Sequence, residues 1–162
     1  MQYHGSENSA AALSALERSG FFIAVGNNAI RQRIYEALAT NKLSPANAIH
    51  PSSVIDPSVE LSDNGIMVAA NATINPLAKI RKGVICNTGC IIEHECEVGD
   101  FAHIGPGAVL CGNVKVGSRS FVGANAVIRQ GVSIGNSAMI GAGAVVVKDV
   151  PDNVTVVGVP AK

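Results

Sequence analysis

From Val68 to Val146 every sixth residue is apolar: Val68, Ile74, Ile80, Cys86, Ile92, Val98, Ile104, Leu110, Val116, Val122, Ile128, Ile134, Ile140 and Val146. Four residues further on in each hexad stands a small residue, from Ala72, Ala78, Val84 and Cys90 through to Ala138, Ala144 and Val150. Glycine often follows the large position, as at Gly99, Gly105, Gly117, Gly123, Gly135 and Gly141. An amphipathic helix repeats at about 3.6 residues and an alternating strand at about 2, so neither gives a period of six. The pattern predicts a solenoid in which each hexad is one short strand and one corner, with both marked positions facing inward. Three hexads then close a triangular coil of about 18 residues, and stacked coils pair as parallel strands about 4.8 Å apart. The register reads without a slip from Val68 to Val150. A β-sandwich of short strands would space its turns irregularly.

Both flanks depart from the repeat. Residues 55–60 (IDPSVE) read as an opening hexad, and Ser62–Gly65 (SDNG) as a turn that interrupts the register. Upstream, Ala10–Arg18 predicts a helix, Phe21–Val25 (FFIAV) a buried strand and Gly26–Asn28 its turn, with Asn28 capping a second helix from about Ala29 to Ala39. The chain thus divides into a small α/β piece over residues 1–48 and a solenoid over residues 49–162.

Composition fits this division. Aromatic residues make up only 4 % of the chain while apolar residues make up 48 %, which suits a core built from many small and β-branched side chains. Lys+Arg and Asp+Glu balance at 12 each, so no strong field favours nucleic acid or a membrane surface. No apolar run reaches the ~18 residues that a bilayer span needs, and the N-terminus lacks the pattern of a signal peptide. Cys86, Cys90, Cys96 and Cys111 have no CxxC spacing. They read as free thiols of a cytoplasmic protein, the first three inward and Cys111 beside an inward position.

The repeat, the EHEC segment at Glu93–Cys96 and the ending VGVPAK at Val157–Lys162 together resemble the sialic-acid-type hexapeptide acetyltransferases. Within that group they are similar to the bacterial UDP-4-amino-sugar N-acetyltransferases of the bacillosamine pathway. FFIAVGNNAIRQRIYEAL, VICNTGCIIEHECEVG and GNVKVG carry the likeness, which extends over about residues 20–162. The resemblance implies a left-handed parallel β-helix, a homotrimer with shared sites, and acetyl transfer from acetyl-CoA to the 4-amino group of a UDP-linked amino-deoxy sugar, with no metal. Members open with a strand and a Gly-rich turn that holds UDP. This chain has no such element, so residues 1–48 are expected to be a remnant of the nucleotide-sugar-binding domain.

Acetyl transfer to an amine requires a base for the amine proton, a held thioester and a donor to the oxyanion. His94 falls at a corner and points outward, and an imidazole of ordinary pKa, about 6.5, exchanges protons near neutrality. Glu95 at the same corner is placed to accept from the ring; Glu93 is the weaker partner because it should fall on a strand. Gly112 lets a thioester approach its backbone N–H, and the resemblance gives it the oxyanion role. The resemblance also assigns His103 to acetyl-CoA, Ala124 and Ala142 to the CoA channel, and Gly26 and Asn27 to the nucleotide. Asn87 and Thr88, read as lying one coil before the His94 hexad, are candidates for the sugar or its amine. The plainer readings are a surface or interface histidine for His94, a solvated glutamate for Glu95, a packed interface histidine for His103 and small corner residues for Gly112, Ala124 and Ala142. Acetylation of a sugar hydroxyl, as on a sialic acid, would use the same base. A non-catalytic structural trimer and a three-histidine zinc site compete from outside this chemistry; the chain lacks the paired histidine spacing of the zinc site.

Overall fold

The computed structural model describes residues 9–162. From Ala48 the chain winds into a three-sided parallel β-solenoid of two-residue strands. Face 1 stacks seven strands: Ala48–Ile49, Met67–Val68, Ile85–Cys86, His103–Ile104, Phe121–Val122, Met139–Ile140 and Thr155–Val156. Face 2 stacks six: Val54–Ile55, Thr73–Ile74, Ile91–Ile92, Val109–Leu110, Val127–Ile128 and Val145–Val146. Face 3 stacks five: Glu60–Leu61, Lys79–Ile80, Glu97–Val98, Lys115–Val116 and Ser133–Ile134. All pairings are parallel. Neighbours on a face are one coil apart, so His103 pairs with Phe121, Val109 with Val127 and Lys115 with Ser133.

The second residue of each strand points inward. Ile74, Ile80, Ile92, Ile104, Leu110, Ile128 and Ile140 lie in the core with Ala72, Ala78, Ala102, Ala108, Ala126 and Ala144 between them. Each large aliphatic contributes about 1.5–3 kcal/mol by leaving water. Ser120 takes one small inward position. Its buried hydroxyl donates to Gly135 O at 2.5 Å and accepts from Ala138 N at 3.0 Å, so it is satisfied within the core. Cys86, Cys90 and Cys96 are buried free thiols and Cys111 is half-buried, as expected from their positions. A hydrogen bond with Cys90 and burial together hold the Cys86 thiol well above the ordinary thiol range. The glycines after the large positions serve close coil stacking. A Cβ at Gly123 would come within 2.5 Å of the Ala142 nitrogen of the next coil.

The solenoid extends beyond the register read from Val68 at both ends. A complete first coil runs from Ala48, with Ala48 opposite Met67, Val54 opposite Thr73 and Glu60 opposite Lys79, one residue longer than the coils that follow. The extra residue falls in the Ser62–Gly65 turn, where Gly65 adopts φ 69°. The last coil is two residues short: Val150 bridges Ile134, and Met139 pairs with Thr155. The register therefore slips after Val146. Carboxylates cap the amides left there, with Asp149 Oδ1 accepting from Ser133 N at 2.8 Å and Asp152 Oδ1 from Asn136 N at 2.7 Å.

Two helices precede the solenoid, α1 (Ala10–Glu17) and α2 (Asn28–Ala39). The cap of α2 is Asn27 rather than Asn28: its side chain accepts from Ile30 N at 3.0 Å while its own backbone is extended. Asn28 is turned toward the solenoid instead. Phe21–Val25 forms no strand, because no neighbouring strand pairs with it among the described residues. Its backbone bonds are Ala46 N to Phe21 O at 2.8 Å and Val25 N to Ile23 O at 2.9 Å. The described part of the N-terminal piece is therefore helical, without a sheet. It lies against the edge between faces 3 and 1, where Tyr35 meets Phe101 edge-on at 5.3 Å and Phe101 is buried.

Candidate functional site

The candidate residues form two separate groups on one prism. The first group occupies the edge between faces 2 and 3. There the chain turns at Pro76–Leu77, His94–Glu95, Gly112–Asn113 and Gln130–Gly131, one pair above another, tied by Glu95 N to Pro76 O at 3.0 Å, Asn113 N to His94 O at 2.8 Å and Gly131 N to Gly112 O at 3.0 Å. The second residue of each pair is left-handed, with φ 62° at Leu77, 60° at Glu95, 56° at Asn113 and 74° at Gly131. The positive φ of Glu95 thus belongs to the corner type and is no local strain peculiar to the site.

At this edge His94 is half exposed and its Nδ1 stands 3.2 Å from Glu95 Oε2. Directly above it Gly112 has no side chain, and a Cβ there would collide with His94 Nε2 and Cε1. The Gly112 N–H makes no hydrogen bond among the described residues. The structure thus brings together an outward imidazole, a carboxylate on one ring nitrogen, and a free amide with open backbone by the other. Glu93 follows the Ile91–Ile92 strand rather than lying on it.

The second group lies on face 1 and its edge with face 2. His103 is outward on face 1 yet only 8 % exposed. Its Nε2 is 3.0 Å from Asn87 Nδ2, and its ring meets Phe121 edge-on at 4.9 Å. Its Nδ1 is buried with no hydrogen-bond partner among the described residues. Burial holds the imidazole below the ordinary histidine value; the Gly26 backbone offsets part of this and the Arg31 guanidinium adds to it. Thr88, Ala124 and Ala142 stack along the 1/2 edge with Pro106, linked by Gly107 N to Thr88 O at 2.9 Å and Gly143 N to Ala124 O at 2.8 Å. Gly26 and Asn27 line a cleft of about 410 Å³ above face 1 with Arg119, Phe121 and Met139.

A single chain therefore does not unite His94 with His103, Asn87 or Thr88. One hexad is a third of a turn, so Thr88 and His94 stand on different edges, and His103 faces away from the His94 edge. The sequence reading missed Arg31, which is 1 % exposed and carries a lowered pKa, about 10, because of burial. Among the described residues no helix could span a membrane, and no group of three or more His, Cys, Asp or Glu could hold a metal.

Residues 95–130 and 113–148 match the family described as bacterial transferase hexapeptide (six repeats). GDP-perosamine N-acetyltransferase of Escherichia coli O157:H7 is 35 % identical over 94 residues, 58 % of this chain and 42 % of that protein, so the chain spans less than half of that relative. Among solved structures, PerB of Caulobacter crescentus, in complex with CoA and GDP-perosamine, is 42 % identical with a TM-score of 0.90, covering 94 % of this chain and 75 % of its own. The acetyltransferase domain of PglB from Neisseria gonorrhoeae FA1090, in complex with acetyl coenzyme A, is 37 % identical with a TM-score of 0.91, covering 99 % of this chain and 82 % of its own. On the strength of these matches and the hexad-built solenoid, the chain belongs to the bacterial hexapeptide transferase family.

Proposed function

We propose that this chain is an acetyl-CoA-dependent sugar N-acetyltransferase whose chemistry takes place at the His94 edge, in a groove completed by a second copy. The observation that carries the reading is the stacking of Gly112 on His94, with Glu95 Oε2 3.2 Å from Nδ1. With Nδ1–H donating to Glu95, Nε2 keeps its lone pair and accepts the proton of the attacking amine. The Gly112 N–H is free to donate to the oxyanion that forms on the thioester carbonyl. The protonated ring then returns its proton to the departing thiolate, which leaves the base ready for another turn. The absence of a Cβ at residue 112 keeps the space that the His94 imidazole occupies, and so lets the ring stand against the Gly112 backbone.

The face 1 group supports a shared site. His103, Ala124 and Ala142 are the residues expected to hold CoA; His103 lies across the prism from His94, and Ala124 and Ala142 on the other edge of face 2. One copy would supply the His94 wall and its neighbour the wall bearing Ala124 and Ala142, as three-fold closure into a homotrimer allows. Face 2 suits such packing, because its outward row of Thr73, Ile91, Val109, Val127 and Val145 is almost wholly aliphatic. The four free thiols fit a cytoplasmic setting.

The acceptor is a nucleotide-linked amino sugar. PerB is solved with a GDP-linked one, and we assign this chain a UDP-linked sugar bearing a 4-amino group. The test is a panel of UDP- and GDP-linked amino sugars, with a hydroxyl-only sialic acid beside them, incubated with acetyl-CoA while thiol release is followed. Acetylation of a UDP-linked amine supports the full reading. Turnover of the GDP-linked sugar alone overturns the choice of nucleotide, and turnover of none overturns the activity.

A further inference from the structure

The buried guanidinium of Arg31 reaches three parts of the molecule. Nη1 donates to Val25 O at 3.0 Å and Gly26 O at 3.1 Å, in the turn before α2. Nε donates to Gly83 O at 2.8 Å, and Nη2 to Phe101 O at 2.7 Å and Ala102 O at 3.4 Å, in two successive coils. Nη2 also donates to Asn28 Oδ1 at 2.9 Å. Asn28 in turn donates from Nδ2 to Arg119 O at 2.9 Å and Ser120 O at 3.1 Å, in the coil above. Arg31 and Asn28 therefore bind main-chain carbonyls of three adjacent coils. A buried guanidinium is stable only when its donors are satisfied, and here every acceptor but Asn28 Oδ1 is a fixed backbone carbonyl and none is a carboxylate.

These bonds bracket His103. Ala102 O, which Arg31 contacts, belongs to the residue before it. Ser120 O, which Asn28 contacts, also accepts from His103 N at 2.9 Å. Above the imidazole lies the Gly26 turn, held by the same guanidinium. We infer that Arg31 and Asn28 form a latch that seats the Gly26–Asn28 turn on face 1 and so fixes the position and the dry surroundings of His103. Neither residue is catalytic: they are positioning residues that act through His103 and the turn. Their part in turnover rests on the acetyl transfer proposed above, whereas the latch itself does not.

The test uses Arg31→Lys, which keeps the charge and loses the planar fork, and Asn28→Ala in the full chain. Titration of the His103 imidazole is followed by NMR, alongside KM and kcat for acetyl-CoA and thermal unfolding. Arg31 is the charged group facing this ring; Asn87, Phe121 and the Gly26 backbone, the other groups packed on it, are uncharged. A loosened latch rewets the ring, so its titration should move up toward the ordinary histidine value. KM for acetyl-CoA should rise about tenfold with kcat less affected. A residue that only stabilised the fold would lower the melting temperature and leave the His103 titration in place, and that result overturns the latch. If Arg31→Lys does not fold, the same readouts on Asn28→Ala, whose side chain is only half buried, decide the matter. A chain that acetylates nothing but whose His103 titration moves would sink the acetyl-transfer reading and leave the latch standing.

Discussion

Gly112 lies one coil above His94, and a methyl group on it would occupy the space of the imidazole at Nε2 and Cε1. The constraint is spatial, because Gly112 is not among the residues with positive φ. Gly112→Ala keeps the backbone N–H but is expected to push the ring aside, lowering kcat by about 10²–10⁴, the range for losing a positioned general base. Melting should change little, since the displaced side chain is half exposed. Steady-state kinetics and a thermal melt check both parts, and wild-type kcat in this variant would remove Gly112 from the site.

His94→Ala should lower kcat by about 10²–10⁴ while the solenoid stays folded. Glu95→Gln should cost less, since it removes the charge that orients the ring and leaves the ring in place. Equal activity in His94→Ala and wild type would end its assignment as the base. Far-ultraviolet circular dichroism checks that neither variant has lost the fold.

Ala108 is fully buried at a small inward position. Ala108→Leu adds three carbons to a position packed within the core, and should cost about 1–3 kcal/mol. An unaltered melting temperature would mean that this part of the interior has room to spare.

The hexad made the body of the prism readable, because each inward position repeats the same demand for bulk or smallness. The first coil was harder to read. Glu60, Ser62 and Asp63 interrupt the pattern, and one extra residue shifts its phase. The last coil hid its two-residue shortening because Val150 is buried in either register. Phe21–Val25 has the composition of a strand, but a strand exists only with a neighbour, and composition does not show one. The opposition of His94 and His103 could have been read directly: nine residues are half of an 18-residue coil, as the pairing of His103 with Phe121 sets the coil length. Arg31 gave no such signal, since an arginine on a helix ordinarily faces water and the carbonyls it meets lie far along the chain.

Stability should depend on pH through His103. Its folded pKa lies below the ordinary value, so in the window between the two the unfolded chain binds the additional proton. The contribution is complete above about pH 6.5 and is lost as pH falls through the folded value. Urea midpoints measured from about pH 7 down to pH 5 should therefore decline more steeply in wild type than in His103→Gln. Parallel declines would show that burial of this ring is not what couples stability to pH.

Subunit mixing tests the shared groove. Inactive His94→Ala chains combined with Ala142→Trp chains, blocked at the 1/2 edge, should regain some activity, because one groove can then receive an intact wall from each parent. Light scattering at micromolar concentration provides the companion measurement. A fully active monomer would rule the arrangement out.

Through the body of the prism the constant 18-residue coil turns chain distance into compass direction. Eighteen residues inserted between Val98 and Val122 would raise Ala124 and Ala142 along the axis without changing the side they face. A six-residue insertion at the same place would keep every inward residue inward, and the prism could still close. Yet it would swing everything beyond by a third of a turn, carrying Ala124 and Ala142 to the edge now held by His94. Such a molecule could melt like its parent and still be inert, so for this architecture the length of an insertion, counted in whole coils, separates a tolerated change from a silent loss of function.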